Sequence, residues 1–468
     1  MRRATLTIAV ATTAGLLATA SVAAPHAAGA RSAEARKPLA RNLIVLIDDG
    51  AGYNHHEAGS LFDTGLRHGE TYDDFPFRFA MSTYSYGDVE VGQCPEQPVG
   101  YDPRQAWSDF TYVEHDPTDS AAAATAMATG VKTYDSAIGV DCQGTRQQNV
   151  SEVAEELGKA TGVVTSVPFS HATPAGFVVH DTARDDFAGI GHQMVQEAAT
   201  DVVMGAGHPL YTRKGAPAQN RGYEFIAQPD WEALVAGTAG GDADGDQVPD
   251  PWTLVQTPAE FRALTTGETP TRVFGMAQVR RSLQVDRGGD LQADPYVVPA
   301  LDMVPTLPEM ATGALNVLDE DPDGFFVMIE GGATDLASHN NLKGRMIEEE
   351  ISFDRTVDAA LAWVDQHSNW GETAVVVASD HETGYLTGPG SGPTPEGPVW
   401  TPLVDNGAGA VPGMQFNLVA HTNSLVPVFA KGDAARLLRG YADQQDPVRG
   451  RYLDNTELHQ VLVDAITP

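Results

Sequence analysis

NLIVLIDDGAG, residues 42–52, decides the fold. It is a continuous apolar run that ends in two acids, Asp48 and Asp49. A strand with no polar alternation is buried on both faces, which is the condition of a parallel sheet covered by helices on each side. Similar runs recur as GVVTSV at 162–167, DVVMGAG at 201–207, FFVMIE at 325–330, TAVVVAS at 373–379 and SLVPVFA at 424–430. Helical stretches are expected at 150–157, 307–318, about 345–366 and 453–466. Strands alternating with helices predict an α/β fold, a three-layer αβα sandwich around a mostly parallel central sheet.

The chain has 468 residues, enough for one large α/β unit. Residues 1–30 read as a removed signal peptide: Arg2 and Arg3, a short apolar stretch, then small residues suited to cleavage. The paired arginines fit either ordinary or twin-arginine export. Residues 31–41 are expected to be a flexible mature N-terminus. A single catalytic domain is expected over 42–468, irregular at 70–117 and with surface insertions at about 208–300 and 384–415. No segment is long and apolar enough to span a membrane.

The formal net charge is −34. Such a surface repels nucleic acid and attracts cations. Any phosphate chemistry therefore needs a local positive site. Cys94 and Cys142 are the only cysteines, and in an exported protein their default is one disulfide, closing a loop around the serine stretch described next.

TDSAAAATAMATGVKTY, residues 118–134, places Ser120 at the head of an alanine-rich helix. One reading makes Ser120 an N-cap. The other makes it a nucleophile presented to an anion at the positive end of the helix. The strand ends favour the second. The first strand delivers Asp49. The strand at 325–330 delivers Glu330, then Asp335 and His339 four residues apart on one helical face. The strand at 373–379 delivers Asp380 and His381, and His421 precedes the last strand. Carboxylates and imidazoles in this mix are ligands of zinc, and oxygen-rich sets suit magnesium.

These residues resemble the alkaline phosphatase family. The likeness runs through TDSAAAATAMATGVKTYDSAIGVD at 118–141, DDGAG at 48–52, HAT at 171–173 with Arg184 following, EGGATDLASH at 330–339, SDHETG at 379–384 and AHTNSLVP at 420–427, in the family's order. The resemblance implies that Ser120 becomes a phosphoserine and that Arg184 clamps phosphate oxygens. It implies one zinc on Asp335, His339 and His421 and another on Asp49, Asp380 and His381. A third ion, magnesium, would sit on Asp49, Thr173 and Glu330, with His171 just outside its ligands. Two positions depart from the family: Asp48 stands where glycine is usual, and Leu336 where Lys, His or Trp is frequent.

The function implied is a secreted, metal-dependent phosphatase acting on small phosphate monoesters, with a homodimer as one arrangement. A diesterase of the same superfamily and a non-catalytic metal-binding extracellular protein are the alternatives. Two further signals stand outside this set. DADGDQVPD at 242–250 has acids at calcium-loop spacing but lacks the glycine and glutamate of that loop, so a structural calcium site and a solvated turn are both open. His55 and His56 are expected at the surface.

Overall fold

The computed structural model describes residues 37–97, 100–243 and 248–468. The expected signal peptide at 1–30 and residues 31–36 lie outside the described residues, as do Asp244 and Asp246 of the acidic loop. One sheet of eleven strands organises the rest. In chain order these are β1 (Asn42–Asp48), β2 (Phe77–Ser82), β3 (Ala160–Pro168), β4 (Val202–Ala206), β5 (Thr253–Val255), β6 (Val273–Met276), β7 (Phe325–Gly331), β8 (Thr373–Ala378), then Val426–Lys431, Gln444–Asp446 and Gly450–Asp454. Across the sheet the order is 444–446, 450–454, β2, 426–431, β8, β1, β7, β3, β4, β6, β5.

β1 sits centrally, parallel to β7 on one side and β8 on the other. All seven of its residues are buried. Leu43, Val45 and Ile47 enter one core, while Ile44 and Leu46 enter the opposite one. Side chains alternate across a strand, so two apolar layers demand an unbroken apolar run. Each such side chain contributes about 1.5–3 kcal/mol when fully buried. The helices Ser120–Thr129 and Asn455–Ile466 cover the first face, and Leu307–Leu318 and Lys343–His367 cover the second. This is the expected three-layer, mostly parallel α/β architecture.

Every residue of the helix Ser120–Thr129 is buried. Its small side chains let neighbouring elements come close. A Cβ on Gly176 would lie 2.9 Å from Ala124 Cβ, so the short helix Ala172–Gly176 can approach only with glycine there.

Five strands were not legible: β2, β5, β6 and the two short strands Gln444–Asp446 and Gly450–Asp454, the last of which takes the first residues of the helix expected at 453–466. β2 lies inside the stretch expected to be irregular, and β5 and β6 lie inside the expected insertion at 208–300 yet extend the sheet edge. β5 and β6 span three and four residues, too short to display a period. The strand Val426–Lys431 runs antiparallel to both neighbours, with Pro427 opposite Ala80 of β2. Because of that direction its start lies beside the end of β8, with Val428 opposite Ala378. His421 is thereby carried to the carboxyl edge of the parallel strands.

Cys94 and Cys142 are bonded, with Cα atoms 6.0 Å apart. Among the described residues no helix is long and apolar enough to cross a membrane.

Candidate active site

The carboxyl ends of β8, β1, β7 and β3 are contiguous, and the chemistry-bearing residues gather there. Asp49 follows β1 and turns away through Gly50. Gly50 has φ +80°, and a Cβ there would meet Asp335 Cα at 2.7 Å. Both facts require glycine. Its N–H donates to Asp380 Oδ1 at 3.0 Å, which ties the ends of β1 and β8 together.

Three groups of ligand atoms converge, each within 4.8 Å: Asp335, His381 and His421; Asp49, Asp380 and His381; Asp49, His171 and Glu330. His339 joins the first, its Nε2 3.3 Å from Asp335 Oδ1 and 3.0 Å from His421 Nε2. His421 Nε2 stands 3.4 Å from the same Asp335 oxygen. His381 Nε2 is 3.2 Å from Asp380 Oδ2 and 3.6 Å from Asp49 Oδ1. The His381 and His421 rings stack at 3.7 Å, so the first two groups abut. His171, expected outside the third set, offers a ring nitrogen within it. Thr173 is buried beside Glu330 without a formed hydrogen bond. The side chain of His339 is 35% exposed while Asp49, Asp380 and His381 are sealed, so the site opens on the Asp335–His339 side.

Ser120 is the first residue of its helix, but the N-cap is Asp119, whose carboxylate accepts from Ala122 N–H at 2.9 Å. The serine hydroxyl is thus not spent on capping and lies 3.2 Å from His381 Nε2. Asp119 Oδ2 also receives Ser136 N–H at 2.9 Å and Arg184 Nη1 at 2.9 Å. Sequence reading missed Asp119, although its place one residue before the helix was the available signal. Thr383, also missed, donates to Asp335 Oδ1 at 2.6 Å. The backbone carbonyls of Val419 and Thr118 lie at 2.7 and 2.8 Å from Nδ1 of His339 and His421, and direct each Nε2 toward Asp335.

The electrostatics are those of a site short of positive charge. Burial, then Asp380, Asp335 and Glu330, pushes Asp49 well above the carboxylate range. Burial likewise lifts Asp380 and Glu330 to about 7. Burial opposes ionisation of Asp335, but bonding and attraction from His421, then His339 and His381, hold it well below that range. His421 is raised to about 9, because Asp335 outweighs the burial that acts against its charge. Burial opposes the charge of Arg184 as well, yet Asp119, Asp49 and Asp335 keep it firmly cationic.

Both oxygens of Asp49, Oδ2 of Asp380, Oε1 of Glu330, the Thr173 hydroxyl and Nδ1 of His171 are buried without a hydrogen-bond partner. Buried polar atoms are ordinarily satisfied. This oxygen- and nitrogen-rich set fits divalent cations.

The family model described as Alkaline phosphatase matches residues 40–400. The chain belongs to the alkaline phosphatase family. It is 30% identical over 393 residues to Alkaline phosphatase 3 of Bacillus subtilis (strain 168), covering 81% of this chain and 69% of that one. It is 26% identical over 462 residues to the alkaline phosphatase of Escherichia coli (strain K12), covering 90% and 86%. The alkaline phosphatase of the Antarctic bacterium TAB5 shares the fold at a TM-score of 0.60 and 24% identity, over 92% of this chain and 99% of that one. A cold-active alkaline phosphatase from Shewanella sp. does so at 0.63 and 21%, over 91% and 100%.

Within this family framework one expectation changes. His55 and His56 are buried rather than at the surface. His55 Nδ1 accepts Gly52 N–H at 3.1 Å, and His56 points the other way, toward Tyr72 and Glu350. Leu336 lines a small cavity with His171, Phe187 and Arg281. Arg281 therefore adds a cation that motif reading did not place near the site.

Proposed function

We propose that residues 42–468 form an exported phosphatase that hydrolyses phosphate monoesters through a phosphoserine on Ser120. The observation that carries this reading is the free hydroxyl of Ser120, released from capping by Asp119 and facing His381. Asp335, His339 and His421 would hold one zinc, and Asp49, Asp380 and His381 the other. Asp49, Thr173 and Glu330, with His171 in reach, would hold magnesium. Bound there, such cations supply Lewis acidity that makes serine and water nucleophilic near neutral pH and stabilises the leaving oxygen.

The chain's own residues do the rest. Ser120 Oγ attacks phosphorus while the ester P–O bond breaks and the alcohol departs with a proton. Water then attacks the phosphoserine, the P–Oγ bond breaks, and Oγ regains its proton as inorganic phosphate forms. Asp119 holds Arg184 by one nitrogen and leaves the rest of the guanidinium fork for two phosphate oxygens. The helix N-terminus adds its dipole to the same anion.

Ser120→Ala is compared with the parent on a chromogenic monoester, a diester and a sulfate, with metal content measured on the same samples. The variant is expected to keep its metals and lose at least about 10³-fold in turnover of the monoester, or about 4 kcal/mol of barrier lowering. A parent that turns over only the diester ends the monoesterase reading. A metal-loaded parent inert on all three substrates ends the enzymatic one.

A further inference from the structure

Behind Asp49, on the far side of β1's last residue, a second set of ligand-type side chains meets. Asp48 ends β1, His56 lies on the helix Tyr53–Asp63, and Glu350 on the helix Lys343–His367. Their ligand atoms lie within 4.8 Å of one another. Asp48 and Glu350 are wholly buried and His56 is 8% exposed. His56 Nδ1 is 3.2 Å from Glu350 Oε2 and 3.1 Å from the Tyr72 hydroxyl. That hydroxyl gives its proton to Asp354 Oδ1 at 2.6 Å, so without a cation the Nδ1 proton of His56 faces it, and a cation bound at Nδ1 would displace that proton to solvent.

Both oxygens of Asp48 and of Glu350 are buried without a formed hydrogen bond, as is Asp354 Oδ2; the groups nearest them are the Thr334 hydroxyl at Asp48 and His56 Nδ1 at Glu350 Oε2. Among the described residues no lysine or arginine pairs with Asp48, Glu350 or Asp354. A buried carboxylate without compensation costs several kcal/mol, and here two face each other beside an imidazole. We propose that Asp48, His56 and Glu350 form a buried divalent-cation site distinct from the three groups around Asp49.

Two carboxylates and one imidazole are a borderline donor set, suited to zinc or manganese rather than calcium. Of the three residues, His56 alone reaches a cavity. His56 borders a cavity of about 230 Å³ lined by the acids Glu57, Glu70 and Asp73 and by the cations Arg67, Arg78 and Arg449. A cation there joins the end of β1 to two helices and fixes the backbone one residue before Asp49. Its role is positional, since none of its three ligands belongs to the groups that surround Ser120.

The test uses the full chain, stripped of metal and re-equilibrated with zinc or manganese chloride in separate crystals. Anomalous difference maps at each metal's edge are expected to show a peak about 2.0–2.2 Å from Asp48, His56 Nδ1 and Glu350. In solution, Glu350→Gln is expected to retain about one metal equivalent fewer than the parent under the same loading. No peak among these three residues with either metal overturns the proposal, whether or not the groups at Asp49 are filled. Equal metal content in parent and variant does the same, and leaves a proton shared between Asp48 and Glu350. Should the variant fail to fold, the parent's maps decide alone.

Discussion

The two ends of the parallel strands treat buried charge in opposite ways. At the amino ends of β3, β4 and β6 each charged group finds its partner within the chain. Arg272 donates to the carbonyls of Thr200, Gly241, Asp250 and Ala198, and its guanidinium lies 3.9 Å from the centre of the Trp252 ring. Asp201 accepts Thr161 N–H at 2.9 Å, and Glu155 accepts the Thr161 hydroxyl at 2.9 Å. At the carboxyl ends the acids crowd together and their oxygens are orphaned. A closed network serves stability. An open one of a single sign is finished by something from solution.

Removing cations tests that contrast most severely. Stripping the protein with a chelator is expected to lower monoester turnover by more than about 10³-fold, with recovery when zinc and magnesium are returned. Full activity in protein shown metal-free by elemental analysis would break the comparison, because the carboxyl-end acids would then need no outside partner.

Arg272→Ala strikes the other end. Four buried carbonyls lose their donor, and the unfolding free energy in denaturant titration is expected to fall by about 3 kcal/mol. Metal content and kcat are expected to stay at the parent's values. A parallel loss of metal would show that the two ends are one network.

The smallest effect is a pH dependence. Burial lifts Glu155 to about 7 in the folded chain, above an unfolded carboxyl near about 4.3. The folded state then binds this proton more tightly, so its contribution is full at low pH and is lost as pH rises through about 7. Glu155→Gln is expected to gain about 1 kcal/mol over the parent near about pH 9 and nothing near about pH 4. Thermal melts across that range measure it. A gain that is the same at both ends of the range would assign the effect to packing instead.

Legibility followed the physics of each element. β1, β7 and β8 could be read because burial on two faces forces an unbroken apolar run, and the acids that end those runs stood out against it. The alanine helix could be read because alanine is the best helix former, so a run of it stands out in any context. β5 and β6 could not, since a few edge residues carry no period. The capping role of Asp119 was masked by the serine beside it.

By itself, then, the amino-acid sequence determined the layers, the central strands and the residue types gathered at their carboxyl ends. Periodicity reports how one element is buried. It does not report which elements meet. Only the tertiary structure decided that the antiparallel strand Val426–Lys431 brings His421 onto Asp335, and that Asp119 holds Arg184 beside Ser120. The same is true of His56, which turns inward to Glu350 on a helix nearly three hundred residues away. Those contacts arise from sheet order and helix docking, which no local pattern of residues encodes.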